Sequence, residues 1–186
     1  MMRKNFGKKP WVYPLPVLII GTYDENGTAD AMNAAWGGIY DSDKVVLSLS
    51  AGHKTTINIK NRKAFTVSFA DAAHVVEADY VGMVSANKVP DKLEKAGLHT
   101  TKSEYVDAPV IDEFPMALEC RLIKVNEDGN VIGEIVNVNA DGRILDEKGA
   151  IDPAKLNPIS FDPVCNAYRV LGEKVGNAFK DGASIE

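Results

Sequence analysis

The sequence predicts a mainly β fold, an antiparallel β-barrel with a few peripheral helices. Three observations lead there. Apolar stretches of strand length outnumber helical patterns, turn residues join those stretches in pairs, and no regular strand-helix alternation suggests a parallel sheet.

Taken in chain order, residues 17–23 read as a strand that opens on the apolar run Val17-Leu18-Ile19-Ile20. Asp24-Glu25-Asn26-Gly27 follows as a hairpin turn, with Gly27 free to take a positive φ. The return strand is expected over 28–36, and the next over 45–50. A short helix over 55–62 has Thr55 and Thr56 as candidate N-caps and Lys60, Arg62 and Lys63 at its C-terminal end. Residues 64–69 form the next strand.

A second helix is expected over 71–84, with Ala73, Val76, Tyr80, Met83 and Val84 on one face. Pro90 opens a short helix that reaches Ala96 and stops at Gly97. Strands over 116–125 and 131–139 make a long hairpin across Asn126-Glu127-Asp128-Gly129. A last strand over 167–170 precedes a glycine-punctuated tail.

The composition suits one domain over residues 1–186. The chain is 45% hydrophobic and 25% charged, enough for a core and far from a disordered composition. Its 21 basic and 26 acidic residues leave a net charge of −5, so no basic footprint for nucleic acid exists. The charge is uneven. Residues 1–9 hold Arg3, Lys4, Lys8 and Lys9 without an acid, +4 in all, and the remainder carries −9. Taken alone, this is a solvated basic arm.

The apolar run at 17–20 is far too short for a membrane span or a signal segment, so a cytoplasmic protein without membrane attachment is expected. Cys120 and Cys165 stand 45 positions apart and form no CxxC, and the three histidines add no ligand spacing. Both read as reduced packing thiols, and metal chemistry is not expected.

The common catalytic signatures GxSxG, GxxxxGK[ST], HExxH and GxGxxG are missing. The informative cluster lies in the first seventy residues. Asn33-Ala34-Ala35-Trp36-Gly37-Gly38 surrounds one indole with small residues, which lets a planar ligand lie against backbone. A barrel bend with Trp36 in the core would give the same pattern. Ser48-Leu49-Ser50 ends a strand with alternating hydroxyls, and His53-Lys54-Thr55-Thr56 puts a cation and two hydroxyls at a helix N-terminus. Unpaired amides and the positive dipole end suit a phosphate there, although an ordinary threonine cap explains it as well.

A flat-ring platform, a polar strand end and a phosphate cradle together meet the needs of a mononucleotide. In order and spacing, Pro16-Val17-Leu18-Ile19-Ile20-Gly21-Thr22, Asn33-Ala34-Ala35-Trp36-Gly37, Leu47-Ser48-Leu49-Ser50, Thr55-x-x-Asn58-Ile59 and Phe65-x-Val67 resemble the flavin reductase-like, FMN-binding split-barrel family, with its flavoredoxin branch the nearest match. Val84-Ser85, the stretch from Asp91 to Leu98, Gly133-Glu134-Ile135 and Tyr168-Arg169-Val170-Leu171-Gly172 resemble later parts of the pattern.

The resemblance implies a Greek-key split β-barrel, a homodimer with one flavin per subunit near the interface, and FMN as the cofactor. It implies that Asn33, Ala34, Ala35 and Trp36 line the flavin ring, and that Ser48, Leu49 and Ser50 flank ring and ribityl chain. Lys54, Thr55 and Thr56 would hold the phosphate. Lys92 matches a lysine near the flavin, or else lies on a solvated helix face. Tyr168 matches an aromatic position near the C-terminus, or else is core. In such dimers an N-terminal arm can cross the partner subunit.

The chemistry would be the flavin's, so no catalytic side chain is assigned. The stretch 129–135 lacks the histidine that many flavin reductases of the family carry. That favours flavoredoxin-like electron transfer, with a protein or a small reductant, over direct use of NAD(P)H. An NAD(P)H:flavin oxidoreductase and a non-catalytic flavin-binding module are the alternatives.

Overall fold

A computed structural model of the chain describes residues 2–185. Among these the strands are β1 (Leu15–Pro16), β2 (Leu18–Tyr23), β3 (Ala29–Ala34), β4 (Gly37–Asp41), β5 (Lys44–Ser48), β6 (Ala64–Phe69), β7 (Thr100–Lys102), β8 (Pro109–Ile111), β9 (Met116–Val125), β10 (Asn130–Ala140), β11 (Ile159–Asp162) and β12 (Ala167–Val170). The helices are α1 (Lys54–Arg62), α2 (Val75–Met83), α3 (Lys92–Lys95) and α4 (Pro153–Leu156).

Seven strands pair antiparallel in the order β3-β2-β6-β9-β10-β5-β4. The two edges, β3 and β4, are consecutive in sequence yet lie at opposite ends of the sheet, which curls into a half-barrel. The predicted mainly β, split-barrel architecture is the one observed. β1, β11 and β12 form a smaller sheet, and β7 and β8 a hairpin.

The sheet has a core on each face. Leu18, Ile20, Leu47, Phe65, Val67, Leu118 and Val131 fill one cluster. Val17, Ile19, Ala31, Ala78, Val81, Leu93 and Ile111 belong to the other. Successive side chains of a strand point to opposite faces, so β2, buried on both, needs an unbroken apolar run rather than alternation. That is why Val17-Leu18-Ile19-Ile20 reads as it does.

Local turn chemistry holds. Gly27 has φ +84 and its amide donates to Asp24 O at 3.0 Å. Gly129 has φ +89 in the turn between β9 and β10.

Several expectations need correction. The strand expected over 28–36 stops at Ala34, and Gly37 starts β4 at the far edge. A Cβ at Gly37 would lie 2.8 Å from both Leu18 Cδ1 and Leu47 Cδ2, so the chain crosses the core only where no side chain intervenes.

Helix α2 is preceded by a 3-10 turn, Ala72–His74, whose free amides are capped by the Asp71 carboxylate. Its buried residues are Ala78 and Val81, whereas Val76 and Met83 of the expected face are 73% and 75% exposed. The small side of this helix packs on β3, because Asn33 leaves no room for a larger residue than Gly82.

The N-cap of α1 is His53, not Thr55 or Thr56, and it makes no side-chain cap bond. The short β1, β4, β7, β8 and β11 carry too little pattern to be read from sequence. Cys120 is buried as expected, whereas Cys165 is exposed rather than packed. Residues 2–9 of the arm are exposed and free of regular structure.

Candidate functional site

The residues between β3 and β4, the end of β5, the face of α2 and the β12 strand converge on one cleft of about 400 Å3. That volume is within the range of small-molecule sites, roughly 300–1,000 Å3. Asn33, Ala34, Ala35, Trp36, Ser48, Leu49, Ser50 and Tyr168 all line it. The Ser48 amide donates to Trp36 O at 2.8 Å, which joins the two strand ends into one wall. Ala34 and Leu49 are buried in that wall, while Trp36 is 57% exposed at its edge rather than in the core.

A second cavity of about 260 Å3 adjoins the first and shares Met32, Asn33, His53, Gly82 and Met83 with it. Lys54, Thr55 and Lys92 line this one. The N-terminus of α1 points its first turn here. Among the described residues, no acceptor is found for the Lys54, Thr55 and Thr56 amides, as the helix start dictates.

The threonine hydroxyls themselves face inward. Thr55 Oγ1 donates to Asp30 Oδ2 at 3.0 Å, and Thr56 Oγ1 donates to Ser50 O at 2.9 Å. Thr56 lines neither cavity; its bond ties the β5–α1 loop to the helix. Lys54 Nζ lies 3.4 Å from Asp24 Oδ2.

Lys92 is buried, not on a solvated face. Its Nζ lies 2.9 Å from Asp30 Oδ1 and also donates to Val84 O at 3.2 Å and Val81 O at 3.4 Å. A cation there meets carbonyls at the C-terminal end of α2, where the helix dipole is negative. The Asp30 contact is close but poorly aligned as a hydrogen bond, and Asp30 Oδ1 has no other partner.

On the opposite wall Tyr168 Oη donates to Asp79 Oδ1 at 2.6 Å. Burial and then the Asp79 hydrogen bond push the Tyr168 phenol up to about 12. Asn33 Nδ2 donates to Ala78 O at 3.0 Å, fixing its amide against α2.

Asp79, Gly82, Met32, Met83 and Phe161 line the cleft without having been found in the sequence. Asp30 is also missed. None sits in a local motif: Asp79 meets Tyr168 from 89 positions away. His53 was visible in its segment, and it lines both cavities.

Among the described residues no group of three or more His, Cys, Asp and Glu could hold a metal ion. In the same residues no helix is long and apolar enough to cross a membrane.

A curled antiparallel half-barrel with a two-part cleft beside its β3–β4 crossing defines the flavin reductase-like split-barrel class. The chain belongs to the family described as flavin reductase like domain, which residues 12–155 match. That membership makes it a flavin-related redox protein.

Flavoredoxin of Desulfovibrio vulgaris (Miyazaki F) is 39% identical, with a TM-score of 0.94 over 97% of this chain and 100% of that one. Flavoredoxin from Methanosarcina acetivorans is 26% identical, with a TM-score of 0.90 over the full length of both. An FMN-binding domain of a flavin reductases-like enzyme from Shewanella baltica OS155, 21% identical, has a TM-score of 0.76 over 87% of this chain and 88% of that one. This last likeness is one of fold.

Proposed function

We propose that this chain binds FMN non-covalently and transfers electrons in the manner of a flavoredoxin, working as a homodimer. The observation that carries the reading is the two-part cleft, a small-residue wall on one side and the free amides of α1 on the other. These features fit a flat ring joined to a single phosphate.

In this reading the ring lies against Ala34 and Ala35, whose short side chains let backbone approach it, and Trp36 guards the exposed edge. Ser48 and Ser50 supply hydrogen bonds to the polyol. The phosphate would take the Lys54 and Thr55 amides, so Thr55 contributes backbone rather than hydroxyl, Thr56 supports the loop from behind, and Lys54 adds charge. Lys92 acts from below, by holding Asp30 and the end of α2. When bound, FMN would supply hydride and single-electron chemistry, and the protein would set its orientation and potential.

The homodimer is supported by apolar surface. Trp36 at the cleft, Ile39 and Tyr40 on the edge strand β4, and Val175 and Phe179 of the C-terminal tail are each more than half exposed. Such residues gain most by burial against another copy.

The test begins with purification and reconstitution. The protein should bind FMN and show flavin absorbance, with riboflavin weaker by the lost phosphate contacts. Lys54→Met should weaken FMN more than riboflavin. A chain that cannot be loaded with FMN refutes the proposal. Anaerobic mixing with NADH or NADPH then decides the donor: slow bleaching, against fast bleaching by a reduced partner protein, supports electron transfer. Rapid bleaching by the nicotinamide would favour a flavin reductase instead. Light scattering at micromolar concentration should give twice the chain mass.

A further inference from the structure

Among the described residues lining the cleft, Asp79 is the only carboxylate. Among the described residues it is in no ion pair, its hydrogen bond being to the neutral Tyr168 hydroxyl. Lys92, the buried cation of the adjoining cavity, is engaged with Asp30 and with two backbone carbonyls. Asp79 sits on α2, whose last residues Gly82 and Met83 also line the cleft and whose C-terminal end is the negative end of the helix dipole. The α1 end of the site is the positive end of its own helix. The site is therefore polarised: positive where a phosphate fits, negative at the Asp79 wall.

Tyr168 links the charge to the cleft. Its hydroxyl proton is committed to Asp79 at 2.6 Å, so toward the cleft it lines the phenol oxygen can act only as an acceptor, beside the Asn33 side chain that already hydrogen-bonds to it. That geometry selects a ligand edge bearing an N–H or O–H donor.

We propose that Asp79 is a positioning residue that acts through Tyr168. It orients the phenol as an acceptor toward the ring and keeps an uncompensated negative charge beside it, so the site binds oxidised flavin more tightly than reduced flavin. This rests on the FMN reading above. Reduced flavin is negatively charged at neutral pH, and a fixed negative charge in a site of low dielectric disfavours it. Asp79 thus holds the potential of the bound flavin down, as a donor of low-potential electrons requires.

The experiment loads the full chain with FMN and compares wild type with Asp79→Asn, Asp79→Ser, Asp79→Glu and Tyr168→Phe. Affinity for oxidised FMN is read by fluorescence quenching, and midpoint potential by equilibration with a reference dye. Both neutral variants should change the ratio of reduced to oxidised affinity by about tenfold, which for a two-electron couple raises the potential by about 30 mV. Asp79→Glu should restore the wild-type potential. Tyr168→Phe should lose affinity for oxidised FMN several-fold with a smaller change in potential, since the carboxylate stays. A purely structural Asp79 would change affinity without moving the potential. If either neutral variant binds FMN at the wild-type potential, the role assigned to Asp79 is wrong. If wild type binds no FMN, the flavin reading fails first, and this inference with it.

Discussion

Replacing Lys92 by Met removes one half of an ion pair whose side chains are each 3% exposed. Asp30 keeps its hydrogen bond from Thr55 but loses its only counter-charge. Its Oδ1, which has no other partner, is left buried and charged. The Val81 and Val84 carbonyls at the end of α2 also lose a donor. Removing one partner of such a buried pair costs about 3–5 kcal/mol, mostly the penalty of stranding the remaining charge. In a chain of this size each kcal/mol moves Tm by roughly 2–4 °C, so Lys92→Met should melt about 6–20 °C lower. Urea unfolding followed by circular dichroism measures the loss directly, with an unchanged m-value showing that only stability moved. Asp30→Asn combined with Lys92→Met should recover a substantial part of the loss, because no charge is then stranded. A Lys92→Met loss below about 1 kcal/mol would refute the argument, since that is the worth of an exposed pair.

Three further outcomes follow from single contacts. Gly82→Val would put a Cβ 2.8 Å from Asn33 Cβ, so it should cost about 1–3 kcal/mol by overpacking and lower flavin affinity at least tenfold by displacing Asn33. Burial, then Glu119, pushes the Cys120 thiol up to about 12, whereas Cys165 is exposed. A thiol reagent at pH 8 should therefore modify one cysteine in native protein and both after denaturation. The Glu113 carboxylate, bonded to the ring, holds His99 above the ordinary histidine value. The stabilisation is full below the ordinary value and disappears as pH rises through the raised one; NMR should show the midpoint falling in Glu113→Gln.

What could be read from the sequence was encoded over short distances. The apolar run at 17–20, the Asp24–Gly27 and Asn126–Gly129 turns, and strands 64–69, 116–125 and 167–170 follow from periodicity and turn residues a few positions apart. The family motifs are local in the same sense, so Asn33 to Trp36 and Ser48 to Ser50 are legible as segments, and the fold brings both to one cleft.

Other features depend on neighbours far along the chain. β4 lies across the half-barrel from β3 because of what Gly37 permits against Leu18 and Leu47. Asp30 stands between two alanines with no local motif around it, and the Lys/Glu-rich stretch around Lys92 fits a surface helix equally well. Folding brings them together from 62 positions apart and removes water from both, which turns two ordinary charges into a buried pair. Asp79 meets Tyr168 in the same way. Periodicity records which face of an element is apolar; burial, partner and charge compensation arise only when distant elements exclude water from one another.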